Sequence, residues 1–351
     1  MLENRNWHSK ISNPAQVGGI ETSVLDNGNG RGSRIAWVNT GSGLRYKVVI
    51  DRAMDIADAF YNQNSLAWLS HLGVQRANAT KGTDWLNSFG GGLLTTCGLD
   101  HIGGPESDEY GDRGLHGSIS SMPAEIESII QPDPKKGLLD MRIVGRMKQT
   151  QALGQQYELK RTISGTLGQP VIHIHDEVTN VGNSPAPHML LYHFNFGWPL
   201  VDRGANILWE GSWKPREKAG AAKIFKMGND FRKCPDPMDD HRAGGEEAVF
   251  IDIEADASGQ CVCGIANPNL GIAALLRFEK NQLPWLTNWQ HWGPGEYVTG
   301  LEPGTNVPKG QAAARKDNTL IFLNPGEKRM YHLELEVLTD LHEMETLINK
   351  N

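Results

Sequence analysis

The sequence predicts an all-β protein, one large antiparallel β-sandwich with its site carried on loops and strand ends. Three observations lead there. Short stretches in which apolar and polar residues alternate recur along the chain, the pattern of half-buried strands. Glycine (40 residues) and proline (18) are frequent and evenly spread, so they punctuate many short strands and mark no single linker. Strands and helices do not alternate, which argues against a parallel doubly wound sheet. No Gly-x-Gly-x-x-Gly follows a strand and no P-loop is present, so nucleotide binding is not suggested.

The expected strands, in order, are Arg34–Val38, Tyr46–Ile50, Met141–Met147, Tyr157–Ile163, Val171–Thr179, Met189–Phe196, Ala248–Asp252, Ile272–Phe278, Trp285–Trp292 and Met330–Leu338. Val171–Thr179 alternates cleanly and ends at the turn Asn180-Val181-Gly182-Asn183. Asn318–Phe322, the turn Asn324-Pro325-Gly326-Glu327 and Met330–Leu338 read as two strands joined by a turn. Leu338 to Lys350 has helical composition and closes the chain. A split near residue 120 or 240 has no compositional support, so residues 1–351 are taken as one domain.

Composition narrows the function. The chain has 351 residues, enough to bury a full core, and is 39% hydrophobic and 21% charged. A formal net charge of −7 without a long basic run argues against nucleic-acid binding. The start, Met1 to Trp7, has no apolar core of the signal-peptide kind. No apolar run approaches the roughly 18 residues that span a bilayer. Cys97, Cys234, Cys261 and Cys263 are too few to staple a chain of this length, and Cys261-x-Cys263 is not a redox or zinc spacing. A cytoplasmic protein with reduced thiols is expected, with Cys97 as a buried small side chain.

Several residues could carry chemistry. Alternation places Met189, Leu191, His193 and Asn195 on one strand face and His188, Leu190, Tyr192, Phe194 and Phe196 on the other. His193 and Asn195 then project together, either into a cleft or as core groups bonded to backbone. His116 lies between Gly114-Leu115 and Gly117, where backbone or ligand can approach closely; His101, in Asp100-His101-Ile102-Gly103-Gly104, has the same character. Glu302, beside Leu301 and Pro303, is a carboxylate whose burial would raise its pKa toward neutral. Arg52 could fork onto sugar hydroxyls or pair with Asp51 or Asp55. Trp289 and His291, in Trp289-Gln290-His291-Trp292, mix aromatic and polar groups as ligand pockets do. Asp240 or His241 could reach a ligand from a polar loop. His173-x-His175, with Glu177 in the right parity, could hold a metal. The turn after it suggests an exposed edge strand, so no metal and no other cofactor is expected.

Five pieces in order then resemble a known family: Val49-Ile50-Asp51-Arg52-Ala53-Met54-Asp55-Ile56, Gly90 to Leu99, Gly114-Leu115-His116-Gly117, His193-Phe194-Asn195 and Gly300-Leu301-Glu302-Pro303. Over Arg34 to Val337 the chain resembles the galactose mutarotase-like superfamily, in its aldose 1-epimerase-like branch. The resemblance implies a β-supersandwich with an open sugar cleft and a small sugar as partner. It implies an isomerase in which Glu302 removes the anomeric hydroxyl proton and His193 protonates the ring oxygen. His116 and Arg52 would hold hydroxyls. The chain departs from the family around Arg52, in Pro303-Gly304-Thr305-Asn306, and in lacking a clear sugar-binding aspartate, for which Asp240 is the nearest candidate. Those departures leave the sugar and its phosphorylation open, and keep a non-catalytic carbohydrate-binding or regulatory protein as the alternative. A monomer and a dimer are both compatible with the sequence.

Overall fold

The computed structural model describes residues 10–78, 81–216, 223–226 and 229–350. The Met1–Trp7 segment lies outside them. Two antiparallel sheets dominate. The larger runs from one edge through Gly19–Val24, Arg34–Asn39, Leu44–Val49, Asp55–Tyr61, Leu94–Leu99, Ala186–Gly197, Glu296–Gly304, Trp285–Gly293 and Glu247–Ile253 to Gly211–Pro215. The smaller runs Asn206–Trp209, Gln260–Asn267, Ile272–Glu279, Lys328–Leu338, Val171–Asn180, Gln156–Thr166, Asp140–Thr150, Glu125–Ile130. Together they form the expected large antiparallel β-sandwich.

The core is shared by both sheets. Val38, Tyr46, Tyr192, Phe194, Phe196 and Leu301 of the larger meet Ile143, Leu159, Ile174, Leu333 and Leu335 of the smaller in one cluster. Each fully buried Phe contributes roughly 1.5–3 kcal/mol relative to exposure. The strand Ala186–Gly197 is buried throughout. Its Tyr192, Phe194 and Phe196 enter that core, while Met189 and Leu191 enter a second cluster with Trp85, Phe89, Cys97 and Ile102. One strand thus serves two apolar layers, and His193 rises on the side of the second.

A buried ionic network ties the sheets. Arg161 grips Asp176 with Nε at 2.9 Å and Nη2 at 2.7 Å, and reaches Asp55 and the Ala53 carbonyl with Nη1 at 3.1 and 3.0 Å. The Tyr192 hydroxyl donates to Asp176 at 2.7 Å, and Asp55 accepts from the Thr96 amide and hydroxyl. Every charge in it has a partner, the condition under which buried ions are tolerated.

Each expected strand falls on an observed one, Tyr46–Ile50 overrunning by one residue. The two strands joined by a turn are present as Ile321–Leu323 and Lys328–Leu338, but they do not pair with each other. Ile321–Leu323 pairs with Ala186–His188 in the larger sheet, while Lys328–Leu338 belongs to the smaller, so the turn between them crosses layers. The terminal helix starts at Leu341 because the preceding strand runs to Leu338, and a short helix, Gln311–Lys316, was not anticipated. Strand Val171–Asn180 is no edge; it pairs on both sides. On its outer face His173 lies 3.5 Å from Glu334, His175 packs against His332 at 4.2 Å between ring centres, and Glu177 accepts from Lys328. Those partners disperse the three side chains among separate contacts.

Candidate active site

Strand register brings the central residues together. Phe250 pairs with Thr287, and Thr287 with Glu302. The pairs Leu191–Gly304 and Phe194–Leu301 set His193 opposite Glu302, and His193 pairs with Thr95. Phe250, Thr287, Glu302 and His193 therefore form a row across neighbouring strands, on the face turned away from the shared core. A second row holds Ala248, Trp289 and Gly300.

Above these rows lies a cleft of about 630 Å³. Its floor includes His193, Glu302, Thr287, Trp289 and His291, and its walls include Trp68, Trp85, Phe89 and His116. The walls come from segments between strands. Trp85 and Phe89 stack at 4.3 Å, and Trp68 meets Phe89 at 5.9 Å and Trp289 at 6.3 Å. His116 has a left-handed backbone (φ 56°), and its ring lies 5.0 Å from Trp85 and 6.1 Å from His193. Gly117 beside it admits no side chain, since a Cβ there would come 2.3 Å from the Gly98 carbonyl.

Glu302 and His193 face each other on this floor, with Oε1 3.3 Å from Nε2. Both are nearly inaccessible, at 3% and 6% exposure. Burial pushes the Glu302 carboxyl well above the usual carboxylate range; Glu246 adds to this and Arg216 partly offsets it. Burial pushes the His193 imidazole down to about 4. His116 is pushed down to about 3, by loss of water first and by the neighbouring His193 and His101 next. Glu302 Oε1, His193 Nδ1 and Thr287 Oγ1 have no hydrogen-bond partner among the described residues. Unsatisfied buried polar atoms are rare, and a cluster of them along one cleft needs an explanation.

Arg216 and Glu246 were not singled out in the sequence, yet both line the cleft. Glu246 accepts from Arg216 Nη2 at 2.6 Å and from Trp289 Nε1 at 2.7 Å, so it holds the indole in place. The glycines of Gly244-Gly245-Glu246 were the available signal: a Cβ on Gly245 would come 2.4 Å from the Asp240 carbonyl, a packing only glycine allows. Trp289 lies parallel to His291, 6° between planes, and His291 Nδ1 lies 2.5 Å from the Gly245 carbonyl.

Four of the expected site residues stand outside the cleft lining. Asn195 spends its amide on the Gly92 and His193 carbonyls, at 3.0 Å each, and secures the Gly90–Leu93 turn. His101 is fully buried with Nε2 2.7 Å from the Gly104 carbonyl, behind the wall that His116 faces. Asp240 is exposed and pairs with Lys223 at 2.6 Å. Arg52 lines a separate cavity of about 30 Å³, roofed by Leu69, Val74 and Gly90. Neither expected bridge from Arg52 forms, because Asp51 is taken by Arg34 and Asp55 by Arg161.

Among the described residues, no group of three or more His, Cys, Asp or Glu could hold a metal ion, and no helix is long and apolar enough to cross a membrane. All four cysteines are buried and free.

Known structures share this fold. A Klebsiella pneumoniae protein with the provisional description aldose 1-epimerase matches with a TM-score of 0.82 at 24% identity, over 94% of this chain and 86% of its own. The Slr1438 protein of Synechocystis matches at 0.62 and 13%, over 87% and 95%. A galactose mutarotase-like protein of Clostridium acetobutylicum matches at 0.62 and 11%, over 93% and 100%. No curated protein matches the chain. A family model described as a domain of unknown function, DUF4432, matches residues 30–337, and the chain belongs to that family.

Proposed function

We propose that this protein is an aldose 1-epimerase: it opens the ring of a small sugar and recloses it as the other anomer. The single observation that carries the reading is the buried Glu302–His193 pair, 3.3 Å apart on the floor of an aromatic-walled cleft. Sugars lay their C–H faces on aromatic rings and turn hydroxyls to polar groups, and Trp85, Phe89 and Trp289 with His116 and His291 offer both.

The pair shares one proton. With Glu302 ionised and His193 protonated, Glu302 removes the proton from the anomeric hydroxyl while His193 Nε2 delivers its proton to the ring oxygen. The C1–O5 bond breaks and the C1 carbonyl forms. The proton now sits on Glu302 and the imidazole is neutral, the form that burial favours. Rotation about C1–C2 turns the other carbonyl face toward O5. Closure runs the same transfers in reverse and restores the starting pair. His116, kept neutral, holds a hydroxyl without adding charge.

Saturation-transfer NMR of anomer exchange over a panel of aldoses tests this, with Glu302→Gln alongside. Exchange above buffer that falls by about 10²–10⁴-fold in the variant is the expected result. Sugar-dependent tryptophan fluorescence without exchange, retained in Glu302→Gln, would instead favour a carbohydrate-binding role.

A further inference from the structure

The acid–base pair accounts for the unpartnered Oε1 of Glu302. It leaves His193 Nδ1 and, beside Glu302, Thr287. This residue is 3% exposed, lines the cleft, and its hydroxyl has no partner among the described residues. It stands directly beside Glu302, on the side away from His193. Beyond it in the same row is Phe250, with Ala248 next to Phe250 in the cleft lining. Strands are spaced about 4.8 Å apart, so Phe250 lies roughly 10 Å from Glu302 across the floor.

The order of these groups maps onto a sugar ring. If Glu302 acts at the C1 hydroxyl and His193 at O5, the next position past Glu302 is C2. A bare hydroxyl at C2 would use Thr287 and make no use of Phe250 and Ala248, which line the cleft beyond it. Among the described residues of the lining the guanidinium is Arg216, which is engaged by Glu246, and Glu246 and Glu296 make the lining acidic. Lys309, exposed, holds its ammonium 5.2 Å from the Phe250 ring. An uncharged group with a polar root and an apolar end fits this sequence of contacts.

We propose that the substrate is an aldose carrying an acylamino group at C2. The Thr287 hydroxyl bonds the amide, and Phe250 and Ala248 receive the acyl carbon. This rests on the ring-opening reading, which fixes where C1 and O5 lie.

The test compares anomer exchange of N-acetylglucosamine and N-acetylmannosamine with glucose and mannose, in wild type and in Thr287→Val, which keeps the shape and removes the hydroxyl. A kcat/KM about tenfold or more higher for the acylated sugars, with that ratio reduced about tenfold in Thr287→Val, is expected. Phe250→Leu, checked by melting temperature, lowers the same ratio through the acyl end. Equal kcat/KM for acylated and plain sugars, a preference for glucose 6-phosphate, or a ratio untouched by Thr287→Val overturns the proposal while leaving the epimerase reading intact. If no sugar exchanges, the epimerase reading fails, and calorimetric binding decides the subsite on its own. Tighter binding of N-acetylglucosamine than of glucose, lost in Thr287→Val, supports it, and equal or absent binding overturns it.

Discussion

Replacing Gly300 by Ala separates chemistry from stability. Gly300 faces the cleft between Trp289 and Asn195, and a Cβ there would lie 2.7 Å from Glu302 Oε1 and 3.2 Å from Trp289 Cε3. To regain an ordinary contact of 3.4 Å, the carboxylate must retreat by about 0.7 Å from a position 3.3 Å from His193. A displacement of about 1 Å in a reacting group can cost about 10²-fold, so kcat should fall about 10–100-fold. Folding should barely register the change. The backbone at Gly300 is not left-handed, the displaced atom ends a flexible side chain, and Ala stiffens the unfolded chain by roughly 0.4–1 kcal/mol. Anomer exchange by saturation-transfer NMR and urea unfolding, run on the same preparation, measure the two effects. Wild-type exchange in Gly300→Ala would refute the placement of Glu302 at the reacting atoms. Activity and stability lost together would show that the position serves packing.

His193 also predicts a pH dependence of folding. Its pKa is depressed from 6.5 to about 4, so as pH falls the unfolded chain takes up the proton first; the contribution is present above pH 6.5 and is lost toward pH 4. That is about 3 kcal/mol across the window, and urea titrations of His193→Gln should show a correspondingly shallower acid loss; an unchanged slope rejects the assignment. Asp176→Asn breaks the bidentate hold on Arg161 and leaves a buried guanidinium half-compensated. It should cost about 3–5 kcal/mol by denaturant unfolding, and a loss under about 1 kcal/mol would show that the network relaxes.

Alternation made the strands legible, and the face assignments along Met189–Phe196 hold residue by residue. Asp55–Tyr61, Leu94–Leu99 and Glu296–Gly304 escaped because they are buried on both faces or nearly so, which erases the period-two signal. Parity also explains why His193 and Asn195 looked equivalent. What separates them is the Gly90–Leu93 turn, which folds over one and not the other, a contact made by residues a hundred positions away. Arg52 was misplaced for a related reason: its position follows from the 69–91 segment that roofs it, and local sequence says nothing about that roof. Arg216 and Glu246 come from connections whose path is set by the sheet edge they cross, so their side chains carried no periodic mark.

The strand Ala186–Gly197, packed on both sides, divides the molecule into parts that can change at different rates. His193 shares its strand with side chains of both apolar layers, so a backbone shift there registers in folding as well as in the cleft. The walls sit on segments between strands, where Trp68, Trp85, Phe89 and Leu115 pack with the second layer and take no part in the first. Substitutions in these connections can therefore change what enters the cleft while the strand that carries its floor keeps its hold on the first layer.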